Sequence, residues 1–467
     1  MNLPLRVHYL VYGYSYPKIA TIKWGFLDDE NKLLEELKRI KNELEELEKK
    51  AGFPIEFIGG EVIKSEEEAI DLYNKLLDEK IDAILIFGAS LALFKISELF
   101  VHVVNDLFAA LNVPIIMFIK EYQGPVYGQT VFSFFYNARL VAMKETNRMR
   151  FVFDDYDELL KALRAVRAYS ALKKTKALCI GIPNRLLGGY DAIRGANNRF
   201  GLEVRLLKAS SYVNMIRELS ESECERAREV ALKFLSRAKS VVDVNDKNAF
   251  EAAKNYIVMK RLIDEGGFNA ITINCLEELA LFERFFTTPC IAISLLNDEG
   301  ITAACSGDIP SLAAMIVLSA IANKPGAMGN PIVNPVKNTL IISHCTAPTK
   351  MYGYEESAAE FMAMTHHETD QSVGVRTLFR EGDEATILAF SHDLKRAIIA
   401  RGTVINNPKF PICRTQVEFS VENAEKLFES FPGEVNTVAF HLTFVIGDYI
   451  KELKEFMEIT KTEYIII

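Results

Sequence analysis

Residues 301–315, ITAACSGDIPSLAAM, read as a short apolar strand, a tight turn and the first turns of a helix. Asp308 is a favoured N-cap residue, and Pro310 fits the first helical turn, where a missing N–H costs nothing. The helix that follows stays almost wholly apolar to Ala322, about 14 residues, short of the ~20 a membrane span requires. A strand and helix with so little polar surface are expected inside an α/β layer structure, and the carboxylate of Asp308 lies at their junction. That carboxylate caps the helix, and it is also well placed to hold a metal ion.

Working outward, KALCIGIP (176–183) opens a βα series whose later strands read FNAITINC, CIAISLL, ITAAC and NTLIISH, with helices between several of them. The first segment shows the same alternation: LRVHYLVYG, a helix over about 30–50, IEFIGGEVI, a helix over about 65–78, DAILIFGAS, an apolar helix near 91–111, and PIIMFI. In the 30–50 helix, Leu33, Leu37, Ile40, Leu44 and Leu47 repeat at steps of four and three, which predicts one packed stripe. An amphipathic helix over about 156–172 leads into the second series. After Pro348 the texture turns to short strands and turns (VGVRTLF, ATILAFS, RAIIARGTVI, QVEFS), the pattern of an antiparallel β domain. The expected architecture is α/β: two tandem Rossmann-like βα domains with parallel sheets (1–172 and 173–352), then a small antiparallel β domain (353–467).

The chain has 467 residues with a formal net charge of −9 and acidic and basic residues interspersed, so no basic stripe suits a nucleic acid backbone. No membrane span and no leader pattern is evident, and a cytoplasmic protein is expected. Seven widely spaced cysteines without a CxxC pair argue against a disulfide framework or zinc knuckle. Four glutamines among many Glu and Lys match a composition reported for hyperthermophiles. Gly59-Gly60, Gly188-Gly189 and Gly266-Gly267 form no GxGxxG or P-loop, and no GxSxG elbow occurs.

In open α/β sheets, ligands bind beyond the carboxyl ends of the strands. Glu277 follows FNAITINC, Asp308 follows ITAAC, and His344 ends NTLIISH, so three polar candidates fall on one rim. Each has a plainer reading: a helix-start carboxylate, an N-cap and a satisfied core histidine respectively. His441, after NTVAF, is a fourth candidate. Two carboxylates with one or two imidazoles form a hard O/N set that suits Mn²⁺, Mg²⁺, Co²⁺ or Fe²⁺, although Cys305 and Cys345 nearby leave a softer metal open.

The ordered segments GDIPSLAAM, IISHCTAP, HHETDQSVGV, RGTVINNPKFPICRTQVEF and AFHLTFVIGDY, over about 271–451, resemble the L-fucose isomerase and L-arabinose isomerase superfamily. The resemblance implies a divalent metal, usually manganese, aldose–ketose isomerisation of a free sugar, and a homo-oligomer, hexameric or trimeric. In such an oligomer a neighbour's first domain closes the active site. Carried over by position, Glu277 and Asp308 match the acidic metal ligands that double as the acid/base pair. His441 matches the histidine ligand of the last domain, and His344 a further histidine that binds metal in arabinose isomerases. Ser306 departs from the pattern, since relatives often carry Glu there. His366, with His367 and Glu368, is either a polar loop or a substrate-binding segment, and Arg414 either a sugar contact or an ion-pair partner.

The chemistry would need these residue types. Moving a carbonyl between C1 and C2 requires taking a weakly acidic proton and stabilising a cis-enediolate, which a cation and a carboxylate base do together. A sugar epimerase, and a sugar-binding or regulatory module without turnover, stay open as alternatives.

Overall fold

The computed structural model describes residues 4–12, 30–63, 65–88, 107–119, 148–276, 279, 287–430 and 441–467. The chain forms two compact units, one comprising Asn2–Ser170 with Lys454–Lys461, the other Ala171–Leu453 with Thr462–Ile467. Among the described residues, no helix is long and apolar enough to cross a membrane.

In the first unit, strands β1 (Leu5–Tyr12), β2 (Ile55–Ile63), β3 (Ala83–Gly88), β4 (Ile115–Ile119) and β5 (Met149–Phe153) form a wholly parallel sheet in the order β2-β1-β3-β4-β5. Helix α1 (Glu30–Lys50) packs on β2, with Ile40, Leu44 and Leu47 buried as the stripe requires. Helix α2 (Glu66–Asp78) starts at Ser65, whose hydroxyl accepts the Glu68 N–H at 3.2 Å, with three acids in its first turn. The two glycines of IEFIGGEVI are a bulge: both take positive φ, and the β1–β2 register shifts between Tyr9 and Leu10. The apolar helix expected near 91–111 lies almost entirely outside the described residues; its last four form a 3₁₀ turn, Phe108–Leu111. Helix α3 (Tyr156–Lys174) follows β5.

The second unit opens with β6 (Lys176–Ile180), α4 (Gly189–Phe200), β7 (Glu203–Leu207), α5 (Ala209–Arg217), α6 (Glu221–Arg237), β8 (Ser240–Val242), α7 (Asp246–Gly266) and β9 (Ala270–Ile273). Helix α8 (Cys290–Asp298), β10 (Thr302–Cys305) and α9 (Ile309–Ala322) come next. Strands β10-β9-β6-β7 make a parallel sheet whose order reverses between β6 and β9, the kind of switch point where α/β sheets open a crevice. Two expectations are corrected: NTLIISH is no member of the parallel series, since Thr339–His344 pairs antiparallel on both sides in the sheet described next, and CIAISLL is the helix α8, not a strand. Eight of its nine residues are buried, so it shows neither period, and a short run apolar on all sides does not distinguish the two states.

An antiparallel sheet completes this unit: β11 (Ala327–Asn334), β12 (Thr339–His344), β15 (Glu384–Phe390), β16 (Arg396–Asn406), β17 (Thr415–Val421) and β18 (Leu442–Ile446). Their order is β15-β18-β11-β12-β17-β16, and β15 also pairs with β16, which closes the sheet into a barrel. Leu340, Ile387, Ile398, Val417, Phe419 and Phe444 are in its core. Strand β19 (Glu463–Ile466) adds in parallel to β16. Strands β13 (Phe361–Met364) and β14 (Gly374–Thr377) form a small sheet with β8. Helices α10 (Ala424–Ser430) and α11 (Ile450–Thr460) flank β18 in sequence.

Candidate active site

Three turns at the carboxyl ends of β6, β9 and β10 are stitched together by backbone hydrogen bonds. The Gly307 N–H donates to Ile273 O at 3.0 Å, the Asn274 N–H to Ile180 O at 2.9 Å, and the Asn184 N–H to Gly307 O at 3.3 Å. The turn before α9 is tight: Ser306 and Gly307 both have left-handed φ, +61° and +62°. A Cβ on Gly307 would come within 3.2 Å of Asn184 N and the Asn274 side chain, so only glycine lets these turns close. Beside the turns is a cavity of about 220 Å³. Asn184, Asn274, Cys305 and Ser306 line it from the parallel sheet, Asn330, His344, Cys345, Cys413 and His441 from the barrel, and His366 and Glu368 from the segment after β13.

Asp308 is fully buried and caps α9. Its Oδ1 accepts the Ser311 N–H at 2.9 Å, and its Oδ2 accepts the Ser311 hydroxyl at 2.6 Å. The same Oδ2 lies 2.9 Å from Nδ1 of His441, which arrives from the residue before β18. The His441 ring packs edge-on against His344, with centroids 5.4 Å apart. Nδ1 of His344 meets the Thr346 hydroxyl at 2.9 Å. Burial, reinforced by His441 and His366, holds the His344 imidazole well below its usual range, so it is neutral at ordinary pH. Burial also takes His366 down to about 4, with Arg414 and His367 adding to the effect.

The structure thus brings His344, His366 and His441 onto one cavity wall, with Asp308 directly behind His441. Arg414 is not in that wall. Its Nε donates to Thr365 O at 2.5 Å and its Nη2 to Thr365 Oγ1 at 3.1 Å, which braces the segment carrying His366. Glu277 lies outside the described residues. Five of the seven cysteines (Cys275, Cys290, Cys305, Cys345 and Cys413) line the cavity, and Cys275 and Cys305 touch at 3.4 Å between sulfurs. The Cys345 thiol is lowered by the Cys413 S–H, against the opposing effect of burial.

Among the described residues, no three His, Cys, Asp or Glu side chains form a ready ion site. On separate elements, the Asp308 carboxylate and the His441 imidazole meet at hydrogen-bond distance, 2.9 Å, and the ring of neutral His344 lies beside them.

Sequence reasoning missed Asn184, Asn274 and Asn330. The first two follow β6 and β9 as Asp308 follows β10, so the same switch-point rule would have found them.

No family model matches the chain. Two solute-binding proteins of ABC transporters show only slight structural likeness. The one from Burkholderia multivorans has a TM-score of 0.19 at 14% identity, covering 69% of this chain and 95% of that one. The one from Actinobacillus succinogenes 130z, with bound D-allose, has a TM-score of 0.18 at 13% identity, covering 69% of this chain and 93% of that one. Over 310 residues, 64% of this chain and 66% of the other, the sequence is 22% identical to a sulfoquinovose isomerase from Clostridium sp. (strain MSTE9). The chain therefore spans just under two thirds of that relative's length, and its sequence similarity is to a sugar isomerase.

Proposed function

We propose that the chain is a divalent-metal-dependent aldose–ketose isomerase acting on an open-chain free sugar. The observation that carries this reading is the Asp308–His441 contact at 2.9 Å, at the wall of a cavity where the strand order of the parallel sheet reverses. Sequence similarity to a sulfoquinovose isomerase supports it. A cavity of about 220 Å³ suits one small polar molecule, since drug-sized ligands take ~300–1,000 Å³.

Glu277, Asp308 and His441, with His344 beside them, would hold the cation, Mn²⁺ by preference and Mg²⁺ or Co²⁺ in its place. When bound, it supplies positive charge against the carbonyl and neighbouring hydroxyl oxygens of the sugar. The rest falls to the chain itself. Asp308 fixes the orientation of the His441 ring, and the Glu277–Asp308 pair serves as the acid and base that move a proton between C2 and C1. The cysteine sulfurs make a weakly polar wall that leaves few partners for competing water. A homo-oligomer, trimeric or hexameric, with a neighbour's first domain over the cavity, completes the proposal, in the cytoplasm. Sulfoquinovose, L-fucose and L-arabinose are the first substrates to try.

Asp308 has two roles that one substitution separates. Asn caps a helix as well as Asp does, so Asp308→Asn keeps the cap and removes the charge. Asp308→Asn and Glu277→Gln are expected to unfold within about 1 kcal/mol of the wild type yet lose bound Mn²⁺ and turnover. Wild-type metal content and ketose formation in both variants would refute the assignment.

A further inference from the structure

Asn330 stands on β11, opposite Ser343, the residue before His344, in the antiparallel pairing with β12. It lines the cavity. Its Oδ1 is buried, and no described group hydrogen-bonds it. The other two cavity asparagines are engaged in holding the turns: Asn184 Oδ1 accepts the Leu186 N–H at 2.9 Å, and Asn274 Nδ2 donates to Ile182 O at 2.9 Å. Of the three amide oxygens, that of Asn330 is the one buried without a hydrogen-bond partner among the described residues. A buried acceptor that no described group of the protein meets calls for a partner in the cavity it lines.

We infer that Asn330 is a specificity residue whose amide takes a hydroxyl of the bound sugar. This rests on reading the cavity as a sugar site. The amide chooses the chemistry of its partner. A hydroxyl donates to Oδ1 and can accept from Nδ2. A sulfonate or carboxylate oxygen has no proton to give Oδ1. In a sugar with an anionic end, that end therefore points away from β11, and a neutral carbon bearing a hydroxyl faces it. A site built around such a bond discriminates strongly against analogues lacking the hydroxyl, because the amide is then left buried and unpaired.

The test titrates L-fucitol, L-arabinitol and their monodeoxy analogues calorimetrically into the wild type, Asn330→Ala and Asn330→Leu, and records Tm for each protein. At least one polyol should bind the wild type. Asn330→Ala should weaken it tenfold or more. One monodeoxy analogue should lose a similar factor on the wild type and nothing further on Asn330→Ala. Tm should hold in at least one variant, because Oδ1 makes no hydrogen bond to a described group of the protein. Equal binding by wild type and Asn330→Ala overturns the assignment and leaves the sugar site standing. Loss of several degrees in Tm for both variants marks Asn330 as structural and also overturns it. If no polyol binds the wild type, the sugar reading itself falls, and the inference with it.

Discussion

His366 joins the segment after β13 to the cavity, and its chemistry is set by where it is buried. In the unfolded chain an imidazole titrates near 6.5, whereas here burial, with Arg414 and His367, takes it to about 4. Between those values the folded protein binds fewer protons than the unfolded one, so His366 contributes fully above pH ~6.5 and its contribution is lost as pH falls toward 4. The amount is on the order of 3 kcal/mol. Urea unfolding at pH 7 and pH 4.5 should show a smaller acid loss for His366→Gln than for the wild type, and equal losses would refute the burial argument. At this scale the sequence was legible where chemistry follows a strand of the parallel sheet: Asp308 was placed on the rim by position, whereas His344 reaches the same cavity from the barrel and His441 was only a fourth candidate from the last domain. Arg414 was not, because nothing in CRTQ reveals that its guanidinium is taken by Thr365. Asn330 gave no such signal, because it lies inside β11 between Gly329 and Pro331 and not behind a strand. In β11 Pro331 faces Ile342, and a Cβ on Gly329 would sit 2.7 Å from Ser343 O.

Among the elements, those with a clear period were read nearly to the residue. Helix α1 runs Glu30–Lys50, as its stripe of leucines predicts, and α2 starts one residue after its Ser65 cap. CIAISLL failed because burial of nearly every residue erases periodicity. The IEFIGGEVI strand shows how a sequence can look broken and still pair. Gly59 has φ +97°, and a Cβ there would lie 2.6 Å from the His8 ring, so the bulge exists only because position 59 has no side chain. Gly59→Ala should destabilise the protein by about 2 kcal/mol or more, combining a left-handed backbone with an overpacked contact. Chemical denaturation measures it directly, and a loss under about 0.5 kcal/mol would show that the bulge is not held as described.

Across the whole molecule, two parallel sheets and a closed antiparallel barrel follow from a βα alternation that gives way to short strands, and that outline was readable from pattern. Barrel closure was not, since the β15–β16 pairing and the return of β18 beside β11 are long-range choices that no local window contains. The return of β18 beside β11 delivers His441 from the far end of the chain to Asp308 at the end of β10. The central claim is that this meeting serves sugar isomerisation. The most direct measurement is ¹³C NMR of 1-¹³C-labelled sulfoquinovose, L-fucose and L-arabinose, each incubated with the Mn²⁺-loaded protein. The account predicts that, for at least one sugar, the C1 signal of the aldose is replaced by the CH₂OH signal of the ketose, and that His441→Ala abolishes the change. An unchanged C1 signal for all three sugars, or full conversion by His441→Ala, would contradict it.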